Sequence, residues 1–190
     1  MAVKQAVQNL KKVLGMIRPP KMASDTPITS VYDFSFPLLD GTILRLKDYR
    51  GQVILIVNTA SLCGFTKHYL DLEQLWQQYK DQGLLLLAIP SNDFGQQEPG
   101  SSQEIADFCQ RNFKTSFPIT TKQSVTGNHA HLLYQWLYQQ WGRRGCPRWN
   151  FHKFLFDRTG QIAAGWSAFV GPRDKRVQSR VDAVLLQKIA

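Results

Sequence analysis

The chain has 190 residues, 43% hydrophobic and 12% aromatic, enough apolar material for one packed domain and too much for a disordered polymer. Lys and Arg number 23 against 14 Asp and Glu, a net charge of +9, so the surface favours anionic partners without choosing among phospholipid, nucleic acid and acidic protein. The three cysteines, Cys63, Cys109 and Cys146, are odd in number and irregularly spaced, which excludes a secreted disulfide scaffold or a four-thiol zinc site and points to a reducing compartment.

Residues 1–24 carry Lys4, Lys11, Lys12, Arg18 and Lys21 and no acid, with Val3, Ala6, Val7, Leu10, Val13, Leu14 and Ile17 at helical spacing. The pattern predicts a basic amphipathic helix stopped by Pro19 and Pro20. Three uses stay open: packing on the domain or on a partner, a peripheral anchor on anionic lipid, or an organelle-targeting segment. No apolar run approaches the roughly 20 residues of a membrane span, so the expectation is a soluble or peripheral protein, cytoplasmic with membrane-associated or organellar alternatives. Residues 25–190 are expected to form the domain proper.

The regular pattern begins at Val31 with VYDFSF, a turn at Asp40-Gly41 and TILRL, which predicts a short β-hairpin. Residues 53–58 and 84–90 are continuous apolar runs of the kind buried on both faces, and between them Tyr69, Leu72, Leu75, Trp76 and Tyr79 fall on one helical face. This is a βαβ unit. Ser101 and Glu104 have capping-box spacing for a helix from about 101 to 114. A third helix is expected near 129–141, a hairpin from 153–157 and 161–166, and a closing helix over 172–189. That order predicts an α/β domain of thioredoxin-like fold, a central mixed sheet flanked by helices, with Cys63 at the carboxyl end of a central strand, where open α/β sheets gather ligands and chemistry.

Cys63 lies in Cys63-Gly64-Phe65-Thr66. A thiol just before a helix feels unsatisfied backbone N–H groups, and Lys67 and His68 add cationic character, all favouring thiolate. With Thr66 where a redox dithiol has its second cysteine, Cys63 is expected to act as a lone nucleophile, unless it is a small buried hydrophobe.

Two further segments extend the pattern. One is Pro90-Ser91-Asn92-Asp93-Phe94-Gly95-Gln96-Gln97-Glu98-Pro99-Gly100, the other Arg148-Trp149-Asn150-Phe151. Together with NTASLCGFT they resemble the glutathione peroxidase family, with its NVASxCGxT, QEPG and WNF motifs in that order. The resemblance runs from about Val31 almost to the C-terminus and leaves residues 1–24 outside. It implies a thiol peroxidase that reduces hydrogen peroxide and organic or lipid hydroperoxides, with Cys63 as peroxidatic cysteine and Gln97, Trp149 and Asn150 completing a catalytic tetrad. Indole and amide N–H groups suit that task, since they hold a thiolate and a departing oxygen without competing as nucleophiles, and no metal or organic cofactor is required.

The chain departs from the family pattern in two places. Ser91-Asn92-Asp93 stands where Cys-Asn-Gln is common, and the resolving position on the following helix holds Gln110, with Cys109 one residue early. One residue turns a helical side chain by about 100°, so Cys109 is either a resolving thiol or a packing residue. Cys146, in the basic loop with Arg143, Arg144 and Arg148, is a further candidate. Thioredoxin and glutathione both remain possible reductants, and no nucleic-acid partner is expected. The short 129–149 segment resembles the compact, monomeric branch with an open site. A redox relay that passes oxidation of Cys63 to a partner protein is the alternative function.

Overall fold

The computed structural model describes residues 28–187; the basic amphipathic segment expected over 1–24 lies outside them. Strands β1 (Ser35–Pro37) and β2 (Ile43–Arg45) form a small antiparallel hairpin. There follow β3 (Val53–Thr59), α1 (His68–Tyr79), β4 (Leu84–Pro90), α2 (Ser102–Phe113), α3 (Leu132–Trp141), β5 (Lys153–Phe156), β6 (Ile162–Trp166) and α4 (Lys175–Leu185). The main sheet has the order β4-β3-β5-β6, with β3 and β4 parallel and the pairs β3/β5 and β5/β6 antiparallel. It is the mixed sheet expected.

Every residue of β3 and β4 is buried, and the two-residue period of a strand sorts them into two cores. Val53, Leu55, Val57, Leu84, Leu86 and Ala88 face a cluster with Tyr69 and Leu72 of α1, Ile105 and Cys109 of α2, and Val177 and Val181 of α4. Ile54, Ile56, Leu85, Leu87 and Ile89 face the other side, against Leu133, Trp136 and Leu137 of α3 and Phe36 and Leu44 of the hairpin. Helices thus cover both faces, which is why the two strands read as unbroken apolar runs. The β4 edge is covered as well: Ala88 exchanges backbone hydrogen bonds with Pro118 and Thr120 at 3.0 Å each.

The Ser101–Glu104 box forms at the start of α2. The Ser101 N–H donates to Glu104 Oε2 at 2.7 Å and Ser101 Oγ accepts from the Glu104 N–H at 3.3 Å. Three boundaries differ from expectation. Residues Val31–Asp33 form a 3₁₀ turn instead of the start of a strand, because the Asp33 carboxylate folds back to accept the N–H groups of Thr29 and Ser30 at 2.8 and 3.1 Å. Helix α3 begins at Leu132, where His131 Nδ1 accepts the Leu133 N–H at 3.2 Å and acts as the cap. Helix α4 begins at Lys175, capped by Asp174, whose carboxylate accepts the Arg176 N–H at 2.9 Å.

After α3 the chain makes a 3₁₀ turn, Gly142–Gly145, that leads into the Trp149 segment. A Cβ on Gly145 would stand 2.0 Å from the Leu137 carbonyl oxygen, so only glycine lets this loop pack back on α3.

Candidate active site

The site gathers at the carboxyl end of β3 and β4, where three loops meet. The β3 loop carries Cys63, whose side chain is 9% exposed between exposed Leu62 and Gly64. Thr66, itself buried, holds this loop closed. Its Oγ1 accepts the Cys63 N–H at 3.0 Å and lies 2.7 Å from the Cys63 carbonyl and 3.0 Å from that of Ala60. The place of a second redox thiol is occupied by a structural hydroxyl.

Helix α1 starts at His68, a turn later than Cys63, so the sulfur is not seated on the helix terminus as its sequence position suggests. The N–H of Phe65, in the intervening turn, donates to Cys63 Sγ at 3.5 Å, a local donor in place of the helix end. Nor does His68 supply charge: burial first, then the nearby Lys153, brings its pKa down to about 4, so its imidazole is neutral at pH 7. The cationic contribution expected of His68 is absent.

The loop after β4 brings Gln97. Its carbonyl accepts the Leu62 N–H at 3.0 Å, tying it to the residue before Cys63, and the chain turns there through Gln96 at φ 53° and Gly95 at φ 65°. Glu98 is 1% exposed. Burial raises its pKa, opposed by the polar groups of neighbouring Ser61 and by the charge of Lys122. Asp93, the acid that departs from the family pattern, is an anchor: its Oδ2 accepts from the N–H groups of Val125 and Thr126 at 2.7 and 2.9 Å and from Ser124 Oγ at 3.0 Å. It fixes the Gln97 loop to the segment before α3.

The third loop delivers Trp149 and Asn150. Asn150 is wholly buried, and its Nδ2 donates to Gln97 Oε1 at 3.0 Å. Trp149 is 38% exposed, with its ring 5.7 Å from that of Phe94 in the Gln97 loop. Asn58, near the end of β3, anchors this segment by donating from Nδ2 to the Trp149 carbonyl at 3.1 Å. The structure therefore brings Gln97 and Asn150 into direct contact, ties Gln97 to the Cys63 loop through Leu62, and stands Trp149 over Phe94 beside them.

The other two thiols are placed differently. Cys109 is 1% exposed in the core, and burial, with the charge of Glu98 adding to it and Tyr69 opposing, pushes its pKa up to about 11. Cys146 is half-buried, and its pKa is raised by burial in spite of Arg148 and Arg143. Neither is activated. Arg143, Arg144 and Arg148 are exposed.

Sequence reasoning missed the supporting groups Thr66, Asn58, Asp93 as an anchor, and the buried Lys153. Of these Thr66 carries a signal in the sequence, its fixed offset from Cys63, and so does Asp93, an acid where the family pattern has an amide.

The glutathione peroxidase family model matches residues 31–138, which include Cys63 and Gln97. The chain is 42% identical over 156 residues to a glutathione peroxidase-like peroxiredoxin of Schizosaccharomyces pombe, covering 81% of this chain and 98% of that one. It is 40% identical over 151 residues to a hydroperoxy fatty acid reductase of Synechocystis, covering 75% and 89% respectively. Among solved structures, the crystal structure of Trgpx in apo form superposes with a TM-score of 0.68 at 34% identity, over 85% of this chain and 98% of that one. With the family model spanning more than half of the chain and both relatives covered almost end to end, the protein is a thiol peroxidase that acts on hydroperoxides, and it belongs to the glutathione peroxidase family.

Proposed function

We propose that Cys63 is the peroxidatic nucleophile and that Gln97, Trp149 and Asn150 are its partners. The observation that supports this most directly is the Asn150–Gln97 hydrogen bond at 3.0 Å, joined by the Gln97 carbonyl to the Leu62 N–H beside Cys63. The Cys63 thiolate attacks the distal peroxide oxygen, and the O–O bond breaks. The departing alkoxide or hydroxide takes up a proton, and Cys63 is left as sulfenic acid. Amide and indole N–H groups stabilise the negative charge as it shifts from sulfur to oxygen.

A thiol then condenses with the sulfenic acid, releasing water and leaving a mixed disulfide, and a second thiol displaces Cys63. We assign both thiols to an external donor, because Cys109 is sealed in the core with its pKa near 11 and the thiol of Cys146 is likewise held protonated by its surroundings. The donor is either glutathione or thioredoxin acting directly on Cys63. Exposed Leu62 and Phe169, at 64% and 85%, with Phe65 packed edge-on to Phe169 at 5.3 Å, give the mouth an apolar rim suited to organic and lipid hydroperoxides. The name of the Synechocystis relative, a hydroperoxy fatty acid reductase, agrees with that substrate class. A monomer with an open site, and a peripheral membrane contact through residues 1–24, complete the reading. The same segment decides between cytoplasmic, membrane-associated and organellar placement.

The test is steady-state consumption of hydrogen peroxide and of a fatty-acid hydroperoxide with glutathione and with thioredoxin, for wild type and Cys63→Ser. Activity confined to wild type is expected. Equal turnover by Cys63→Ser would overturn the assignment, and stoichiometric oxidation without turnover would favour the redox relay. Mass spectrometry of the peroxide-treated protein should show Cys63 sulfenate and thiol adducts, and a Cys63–Cys109 or Cys63–Cys146 bridge would refute the external donor. Sedimentation with anionic liposomes should fall when residues 1–24 are removed.

A further inference from the structure

Lys153 opens β5 at a place where the sheet has no solvent. It is 0% exposed, and it sits in register between Val57 of β3 and Trp166 of β6. Among the described residues no carboxylate stands within ion-pair distance of it. Its Nζ donates to the Phe151 carbonyl at 2.7 Å. An ammonium group taken out of water at such cost and given no counter-ion calls for a use.

The use lies in what the Phe151 carbonyl belongs to. Phe151 has φ 64°, a left-handed conformation that a bulky side chain rarely adopts and that persists only where its surroundings enforce it. Its ring is fully buried and meets Tyr69 and His68 edge-on at 5.6 and 5.7 Å, which fixes the side chain. The Phe151 N–H donates to the Asn58 carbonyl, and the Lys153 ammonium takes the carbonyl on the other side. Immediately before this twisted residue stands Asn150, whose amide meets Gln97.

We propose that Lys153 is a positioning residue of the peroxidase site, its ammonium clamping the Phe151 carbonyl so that the left-handed turn presents Asn150 to Gln97. The inference rests on the assignment of Asn150 and Gln97 as partners of Cys63. The clamp is strongest when Lys153 carries its proton, and burial, opposed by the charge of Asp71 on α1, brings its pKa down to about 7. The titratable neighbours are His68 and Asp71 on α1 and His152 on the adjoining loop. Burial holds the two imidazoles neutral down to about pH 4 and about pH 3. Loss of the Lys153 proton therefore weakens the hold on Asn150 within the range where a thiol peroxidase works.

The test is the second-order rate of Cys63 oxidation by hydrogen peroxide from pH 5.5 to 9, for wild type, Lys153→Met and Lys153→Arg. Iodoacetamide alkylation of Cys63 over the same range reports its thiolate separately. Relative to the alkylation profile, wild type should lose rate as pH rises through about 7. Lys153→Met should be about tenfold slower or worse at pH 6, as expected for a displaced partner group. It should lack that falling limb, with its alkylation profile and melting temperature not lowered. Lys153→Arg, which keeps a charged donor at all these pH values, should recover rate at pH 6 and show no falling limb. A Lys153→Met protein with wild-type rate and pH profile would overturn the inference, as would a loss of rate matched by loss of folded protein in both variants. Failure of the underlying assignment looks different: Asn150→Ala and Gln97→Ala would then oxidise Cys63 as fast as wild type at every pH.

Discussion

Asn150 Nδ2 donates to Gln97 Oε1 at 3.0 Å, joining the loop after β4 to the loop before β5. Because the two amides touch, their effects on the reaction are expected to be coupled. Asn150→Ala and Gln97→Ala should each lower the peroxide rate constant by about tenfold or more, and the double variant should fall well short of the product of the two losses. A double-mutant cycle on the second-order rate measures this. Strictly multiplicative losses would mean that the bond contributes nothing to the reaction.

Thr66→Val keeps the shape of the side chain and removes the hydroxyl that accepts the Cys63 N–H. A buried donor left without a partner costs about 1–3 kcal/mol, so the urea midpoint should drop. Cys63 should oxidise more slowly although no atom of the thiol has changed. Undiminished stability and rate in Thr66→Val would show that the loop is held by other means.

Asp93→Ala removes the acceptor of four donors in the 124–126 turn. A loss of about 2 kcal/mol is expected, within the usual range for hydrogen bonds to a charged group. The Val125 and Thr126 amides should lose protection from hydrogen exchange before those of β3 and β4 do. Unchanged exchange at those two amides would contradict the anchoring role.

Stability should depend on pH in two windows. His68 and His131 have pKa values of about 4 and His152 about 3, each lowered chiefly by burial. The unfolded chain takes up these protons near pH 6.5 and the folded chain does not, so stability is present above about pH 6.5 and is lost as pH falls toward 4. Lys153 acts at higher pH. With its folded pKa near 7 against 10.5 for the free side chain, the folded state binds fewer protons between these values, so stability rises with pH across that window. The slope is at most about 1.4 kcal/mol per pH unit. Urea midpoints of wild type and Lys153→Met between pH 7 and 9 isolate it. The two lines should converge as pH rises, and parallel lines would show that Lys153 keeps its proton in the folded state throughout this range.

Much of this fold could be read from the sequence because its signals are local. The apolar runs of β3 and β4, the stripe of α1 and the Ser101–Glu104 box each specify their own element. Cys63, Gln97, Trp149 and Asn150 were likewise legible as motif residues. What escaped was set by partners distant in the chain or by burial. Residues 31–33 have a strand-like composition, yet the Asp33 carboxylate bends them into a turn. His68 looks cationic beside Lys67 until the fold places it next to Phe151 and Lys153. Lys153 is in the sequence merely the first residue of a predicted strand, and only the pairing of β5 with β3 and β6 shows that no solvent reaches it. The one-residue offset of Cys109 could not be weighed from spacing alone; its 1% exposure shows the side of α2 on which it lies.

The Thr66 hydroxyl, wedged between the Cys63 N–H and the carbonyls of the same loop, makes the sulfur proposed as nucleophile a stationary electrode. A dithiol enzyme carries its second terminal within the same turn and can complete a circuit by itself. With the external donor proposed above, both currents would arrive from outside, oxidant and reductant each travelling to one fixed contact, and the traffic at the mouth of the site would set the pace of the cycle.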